Sequence, residues 1–136
     1  SCPMLVAGIM KTDVATISPL ATVREALLQM KEHGVKSLVV EKRHAGDAHG
    51  LIAYRDIAKA VIADDGDIDL LNVYDIAQKP ALQVSQHLEV RYLARLMIQY
   101  SVKRVLVIDN NELQGFVSIT DVVGSLMERA LHEQDR

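Results

Sequence analysis

Apolar residues at Val23, Ala26, Leu27 and Met30 keep the i, i+3, i+4, i+7 spacing that lines one helix face. The same face returns at Val90, Leu93, Ala94 and Met97. Thr22-Val23-Arg24-Glu25 has the form of a capping box at the first of these helices, and Gly34 is placed to end it in a left-handed conformation. Short apolar runs predict strands at Val14 to Ile17, Leu38 to Glu41 and Gly50 to Tyr54, and again at Ala81 to Val84, Val105 to Ile108 and Leu113 to Ile119. Asp109-Asn110-Asn111 is hairpin chemistry between the last two. Closing helices are expected over Asp56 to Ala63 and Asp121 to Leu131.

These elements are one set written twice. A shift of 67 residues lays Ile9 on Ile76, Ser18 on Ser85, Arg24 on Arg91, Lys36 on Lys103 and Val40 on Val107. Beyond the next loop the shift is 65, laying Gly50 on Gly115 and Asp56 on Asp121, so the first copy carries a loop two residues longer. Colinear order with a single loop change marks an internal repeat of β-α-β-β-α form. The division expected is repeat one over 5–63, an acidic linker over 64–74, and repeat two over 75–133.

Each copy ends in a strand that opens into a helix: Gly50-Leu51-Ile52-Ala53-Tyr54-Arg55-Asp56 and Gly115-Phe116-Val117-Ser118-Ile119-Thr120-Asp121. Such a corner gathers backbone N–H groups and a carboxylate at one mouth, with two hydroxyls in the second copy. The helix N-terminus favours anions, and the carboxylate suits a neutral diol such as a ribose. Asp56 and Asp121 also have a purely structural use as first-turn acids of their helices.

Composition narrows the class. Hydrophobic residues are 49% of the 136, with no Trp and one Phe, so the core is aliphatic. Met10, Met30, Met97 and Met127 read as core filling. No apolar run reaches the ~20 residues of a membrane span. One cysteine excludes an internal disulfide and points to a reducing setting, the cytoplasm. A net charge of −3 disfavours a general nucleic-acid binder. The five histidines lack metal-site spacing, although His44 and His49 flank Asp47. There is no nucleophile elbow, Walker loop or paired His-Glu zinc helix, so the chain reads as no enzyme.

The duplicated order of Gly8-Ile9-Met10 and Asp75-Ile76, the middle strand Val102 to Asp109 and the Gly-to-Asp corners resembles a tandem pair of CBS domains, a Bateman module, here standing alone. The resemblance implies an α/β (α+β) fold of two CBS-type repeats related by a pseudo-two-fold axis. It implies a regulatory module that binds AMP, ADP, ATP or S-adenosylmethionine in clefts between the copies. No cofactor is required; the adenine nucleotide is a regulatory ligand, with Mg²⁺ as its companion ion.

Carried over by residue, the main site takes Asp121 for the ribose, Ser118 and Thr120 beside it, and Arg104 with Lys103 for phosphate. Lys11, Thr12, Val14, Ala15 and Thr16 form a wall near the base. A weaker second site takes Asp56, Tyr54, Arg55, Lys36, Ser37, Ala81 and Leu82. It departs from the pattern, because Ala53 stands where Ser or Thr is usual and Ser37 stands in the place of Arg104.

The closing helices carry more apolar surface than one core face needs, at Ile57, Val61 and Ile62, and at Val123, Leu126, Met127 and Leu131. A homodimer through these helices is therefore expected. The alternative function is a ligand-free dimerisation or interaction scaffold in which Asp121 is only a cap.

Overall fold

The computed structural model describes residues 2–134. Each repeat forms its own three-stranded sheet with helices against it. In the first, β1 (Thr16–Ile17) leads into α1 (Val23–His33), then β2 (Ser37–Val40), β3 (Gly50–Ala53) and α2 (Tyr54–Ala58). The last of these runs on into a π-helical turn, Lys59–Ala63. After a four-residue helix α3 (Val73–Ile76), the second repeat gives β4 (Gln83–Val84), α4 (Val90–Gln99), β5 (Arg104–Asp109), β6 (Glu112–Ser118) and α5 (Ile119–Gln134). In both sheets the middle strand pairs parallel with the first and antiparallel with the third. This is the mixed α/β architecture of two repeated units.

Local signals explain these boundaries. The Thr22 hydroxyl accepts from Glu25 N–H at 3.1 Å, and the Glu25 carboxylate accepts from Thr22 N–H at 3.1 Å, which closes the capping box that starts α1. Gly34 ends that helix at φ 64°. Its repeat partner is Ser101, which holds φ 54° without glycine's freedom. Asn110 and Asn111, at φ 54° and 61°, make the two-residue hairpin turn between β5 and β6. The first strands are shorter than expected, since only Thr16–Ile17 and Gln83–Val84 pair with a neighbour. The closing helices start two residues earlier than expected, at Tyr54 and Ile119.

Two compact units result, and they do not follow the order of the chain. One comprises residues 14–81; the other comprises, among the described residues, 2–13 together with 82–134. The first unit's core is built on Val23, Met30, Leu38, Ile52 and Val73, the second's on Val6, Leu93, Met97, Val105 and Val117. Burying each such side chain contributes about 1.5–3 kcal/mol. Met30 and Met97 are in these cores and Met10 packs against one, but Met127 is 60% exposed and fills neither. Its place on α5 turns it outward.

The strip that opens the chain is thus part of the unit containing β4–β6. Leu5 bridges Glu89 and Lys11 bridges Phe116. In the other unit, Asn72 bridges Thr22 and Gln78 bridges Leu51 in the same way. These are equivalent strips under the repeat, each lying along the third strand of its sheet. The glycines of the corner motif allow that approach. A Cβ on Gly115 would stand 2.7 Å from Lys11 O, and one on Gly50 would stand 2.8 Å from Gln78 O, closer than real Cβ contacts come.

Candidate functional site

The Asp121 corner lies within the unit formed by residues 2–13 and 82–134. β6 ends at Ser118 and α5 begins at Ile119, so Ser118 is the N-cap and Asp121 sits on the first turn. Asp121 N–H donates to the Ser118 hydroxyl at 3.2 Å. The hydroxyl in turn donates to Asp121 Oδ2 at 2.8 Å, and Ser118 N–H reaches the same oxygen at 3.3 Å. Lys11 Nζ stands 3.8 Å from Oδ2 as well. The three contacts to the carboxylate all fall on Oδ2, so capping the helix uses one of its oxygens and none of them uses Oδ1.

The other residues expected at the main site divide between the units. Arg104 opens β5 directly across from Ser118, and in an antiparallel pair such partners share a face. Lys103 precedes it, and its carbonyl accepts from Ile119 N–H at 2.8 Å, joining the middle strand to the first turn of α5. Thr120 lies exposed on that turn, and Thr12 follows Lys11 on the exposed strip. Val14, Ala15 and Thr16 belong to the other unit, where the Ala15 carbonyl accepts from Val39 N–H at the mouth of β1. Lys11, Thr12, Lys103, Arg104, Ser118, Thr120 and Asp121 therefore share one unit.

The Asp56 corner repeats the frame with different chemistry. Asp56 Oδ2 accepts from Ala53 N–H at 2.9 Å, but Ala53 has no hydroxyl to complete the box. Ser37 pairs with Ala53 where Arg104 pairs with Ser118, and the Lys36 carbonyl accepts from Tyr54 N–H as that of Lys103 does from Ile119. Tyr54 and Arg55 are exposed on the first turn of α2. Ala81 is buried and donates its N–H to His49 O, whereas Leu82 belongs to the other unit, its carbonyl accepting from Leu106 N–H. Sequence reasoning missed Gln78, whose Nε2 donates to Asp56 Oδ1 at 3.3 Å. The 67-residue shift that relates Lys11 to Gln78 was the signal available for it.

Shifted carboxylates lie elsewhere. Asp109, at the end of β5, is held below its ordinary pKa by the Ser85 hydroxyl and by Gln86 N–H. Asp47 is lowered by the Lys79 ammonium at 2.6 Å and by Arg43 N–H. His49 is lowered by burial, which penalises its cationic form. Among the described residues no group of three His, Cys, Asp or Glu could hold a metal ion. Nor is any described helix long and apolar enough to cross a membrane.

Two β-α-β-β-α units, each ending in a strand-to-helix corner with an acid on the first helical turn, define a tandem-repeat module. The family model described as CBS domain matches residues 6–63 and again 73–128, so the chain belongs to the CBS-domain family and carries two of its domains. An uncharacterized protein of Methanopyrus kandleri is 29% identical over 119 residues, covering 87% of this chain and 60% of that protein's length. The hexameric CBS-CP12 protein from bloom-forming cyanobacteria shares the fold with a TM-score of 0.85 at 36% identity, over 90% of this chain and 68% of that one. The CBS domain pair of protein MJ0100, solved in complex with 5′-methylthioadenosine and S-adenosyl-L-methionine, has a TM-score of 0.81 at 22% identity, over 94% of this chain and 99% of that pair. CBS pairs are commonly regulatory ligand-binding modules, and stand-alone ones are generally not catalytic.

Proposed function

We propose that this chain is a non-catalytic sensor that binds an adenosine-containing ligand (AMP, ADP, ATP or S-adenosylmethionine) at the Asp121 corner. The observation that carries this reading is the division of labour on Asp121. Its Oδ2 caps α5, while Oδ1 is left for the hydroxyls of a ribose, for which a carboxylate is an acceptor-only partner. Arg104, across from Ser118, supplies a fork that matches a phosphate. The first turn of α5 adds the positive end of a 16-residue helix. That the same fold in protein MJ0100 holds two adenosine derivatives supports the ligand class.

Thermal unfolding of nucleotide-stripped protein against AMP, ADP, ATP and S-adenosylmethionine tests the reading. At about 100 times Kd a ligand specific to the native state adds about 2.7 kcal/mol, a rise of several degrees for a chain of this size. A rise with one ligand class identifies the ligand. Flat curves at millimolar concentration reject the sensor and favour the interaction scaffold.

Apolar surface on the closing helices favours a second element of function, association with another copy of the chain. Ile62 is 78% exposed on the extension of α2, and Leu131 is 66% exposed on α5 beside Met127. Ile62 also lines a groove of about 540 Å³ together with Leu27, Ile57, Val61 and Ile68. Surfaces of this kind are uncommon on monomers, and the self-association proposed here is a homodimer through these helices.

A further inference from the structure

We infer that Lys11 makes the Asp121 corner select phosphorylated ligands, a selection that the neutral Gln78 does not supply at the Asp56 corner. This rests on the nucleotide reading above and deepens it. Lys11 N–H donates to Phe116 O at 2.9 Å, and the Lys11 carbonyl accepts from Phe116 N–H at 3.0 Å. Gln78 exchanges the same two bonds with Leu51, at 2.8 and 2.9 Å. The two side chains therefore leave equivalent points of one repeated scaffold, and both reach the acid of their own corner. Lys11 Nζ lies 3.8 Å from Asp121 Oδ2; Gln78 Nε2 lies 3.3 Å from Asp56 Oδ1. A second position changes charge in the same direction, since Arg104 pairs with Ser118 while Ser37 pairs with Ala53.

The consequence follows from what each ligand offers the cation. A nucleoside held through Oδ1 draws on the same carboxylate that the Lys11 ammonium faces through Oδ2, and it brings that ammonium no anion of its own. A nucleotide brings its own anion, so Lys11 can exchange one negative partner for another. The Lys11 side chain is 64% exposed and carried on a flexible four-carbon stem, so the exchange gives up little packing. The neutral amide of Gln78 gains nothing comparable from a phosphate, and a diol that reaches Asp56 displaces only a neutral donor.

The test measures AMP and adenosine binding by titration calorimetry on the full chain in an Asp56→Asn background, which removes the other corner's carboxylate. Lys11→Gln and Lys11→Arg are compared with that parent. The expected result is a fall of about fivefold to tenfold in the AMP-to-adenosine affinity ratio for Lys11→Gln, the scale of one partly exposed charged contact. Lys11→Arg is expected to keep the ratio. A ratio indifferent to Lys11→Gln, or equal weakening of both ligands, overturns the inference and leaves the nucleotide reading standing. If the parent binds neither AMP nor adenosine, the inference fails, and the titrations with ADP, ATP and S-adenosylmethionine decide the nucleotide reading separately.

Discussion

Gly115 and Asp121 show how single residues set the corner. Gly115 has no side chain because the opening strip lies against it; the nearest atoms to an added Cβ are Lys11 O at 2.7 Å and Met10 Sδ at 2.9 Å. Met10 can yield, but a backbone carbonyl fixed by a hydrogen bond from Phe116 cannot do so without moving the strip. Gly115→Ala is therefore expected to destabilise by about 1–3 kcal/mol and to weaken any ligand that depends on Lys11. Urea unfolding and a binding titration check the two halves of that statement. Gly124, with no atom within 4 Å of an added Cβ, is the matched control and should accept Ala without loss. Asp121 was legible as an acid at a helix start, because residue type and position suffice for that. The sequence could not show that one oxygen does the capping, since this depends on the Ser118 rotamer.

At the scale of elements, periodicity located both amphipathic helices, and turn chemistry located the hairpin at Asn110-Asn111. What stayed hidden was which sheet each strip joins. Leu5 to Lys11 opens repeat one in the chain yet bridges Glu89 and Phe116, and no local pattern records a pairing across about 84 to 105 residues. The site inherited this gap: Lys11 was expected beside Val14 to Thr16 on one wall, but it shares a unit with Asp121, and Gln78 escaped notice altogether. The ends of β4 and β5 are tied by Ser85 and Asp109, whose side chains hydrogen-bond at 2.7 Å. That tie sets a pH dependence. The folded pKa of Asp109 is depressed, so its contribution is present above the ordinary value of 3.8 and is lost as pH falls through the lower folded value. Ser85→Ala should therefore destabilise at pH 7, with the difference from the parent shrinking below about pH 4. Denaturant midpoints at pH 7, 5 and 3 test it. A constant difference across that range would assign the loss to packing.

For the whole molecule, two cores and two corners built on one plan carry unequal chemistry. The Asp121 corner has a hydroxyl N-cap, an arginine across the strand and a lysine beside the acid; the Asp56 corner has Ala53, Ser37 and Gln78 at those positions. The two copies thus share a backbone plan and differ in their corner residues, which accounts for a fold easier to read than its candidate site. The exposed apolar residues of α5 bear on assembly. Met127→Glu combined with Leu131→Glu is expected to convert a dimer to a monomer in sedimentation velocity, with the far-UV spectrum unchanged, because both side chains already face outward. A parent that sediments as a monomer removes the dimer from the account.

Calorimetric titration of nucleotide-free protein with AMP, ADP, ATP and S-adenosylmethionine, for the parent chain and Asp121→Asn, tests the central claim most directly. Asparagine retains a side-chain oxygen that can cap α5 but loses the charge and one acceptor, so folding and ligand binding can be separated. The account expects saturable binding of at least one ligand by the parent. It also expects Asp121→Asn to lose about tenfold or more in affinity, the scale of a charged hydrogen bond, while unfolding like the parent. Equal affinity in the two proteins, or no binding by the parent, would contradict it.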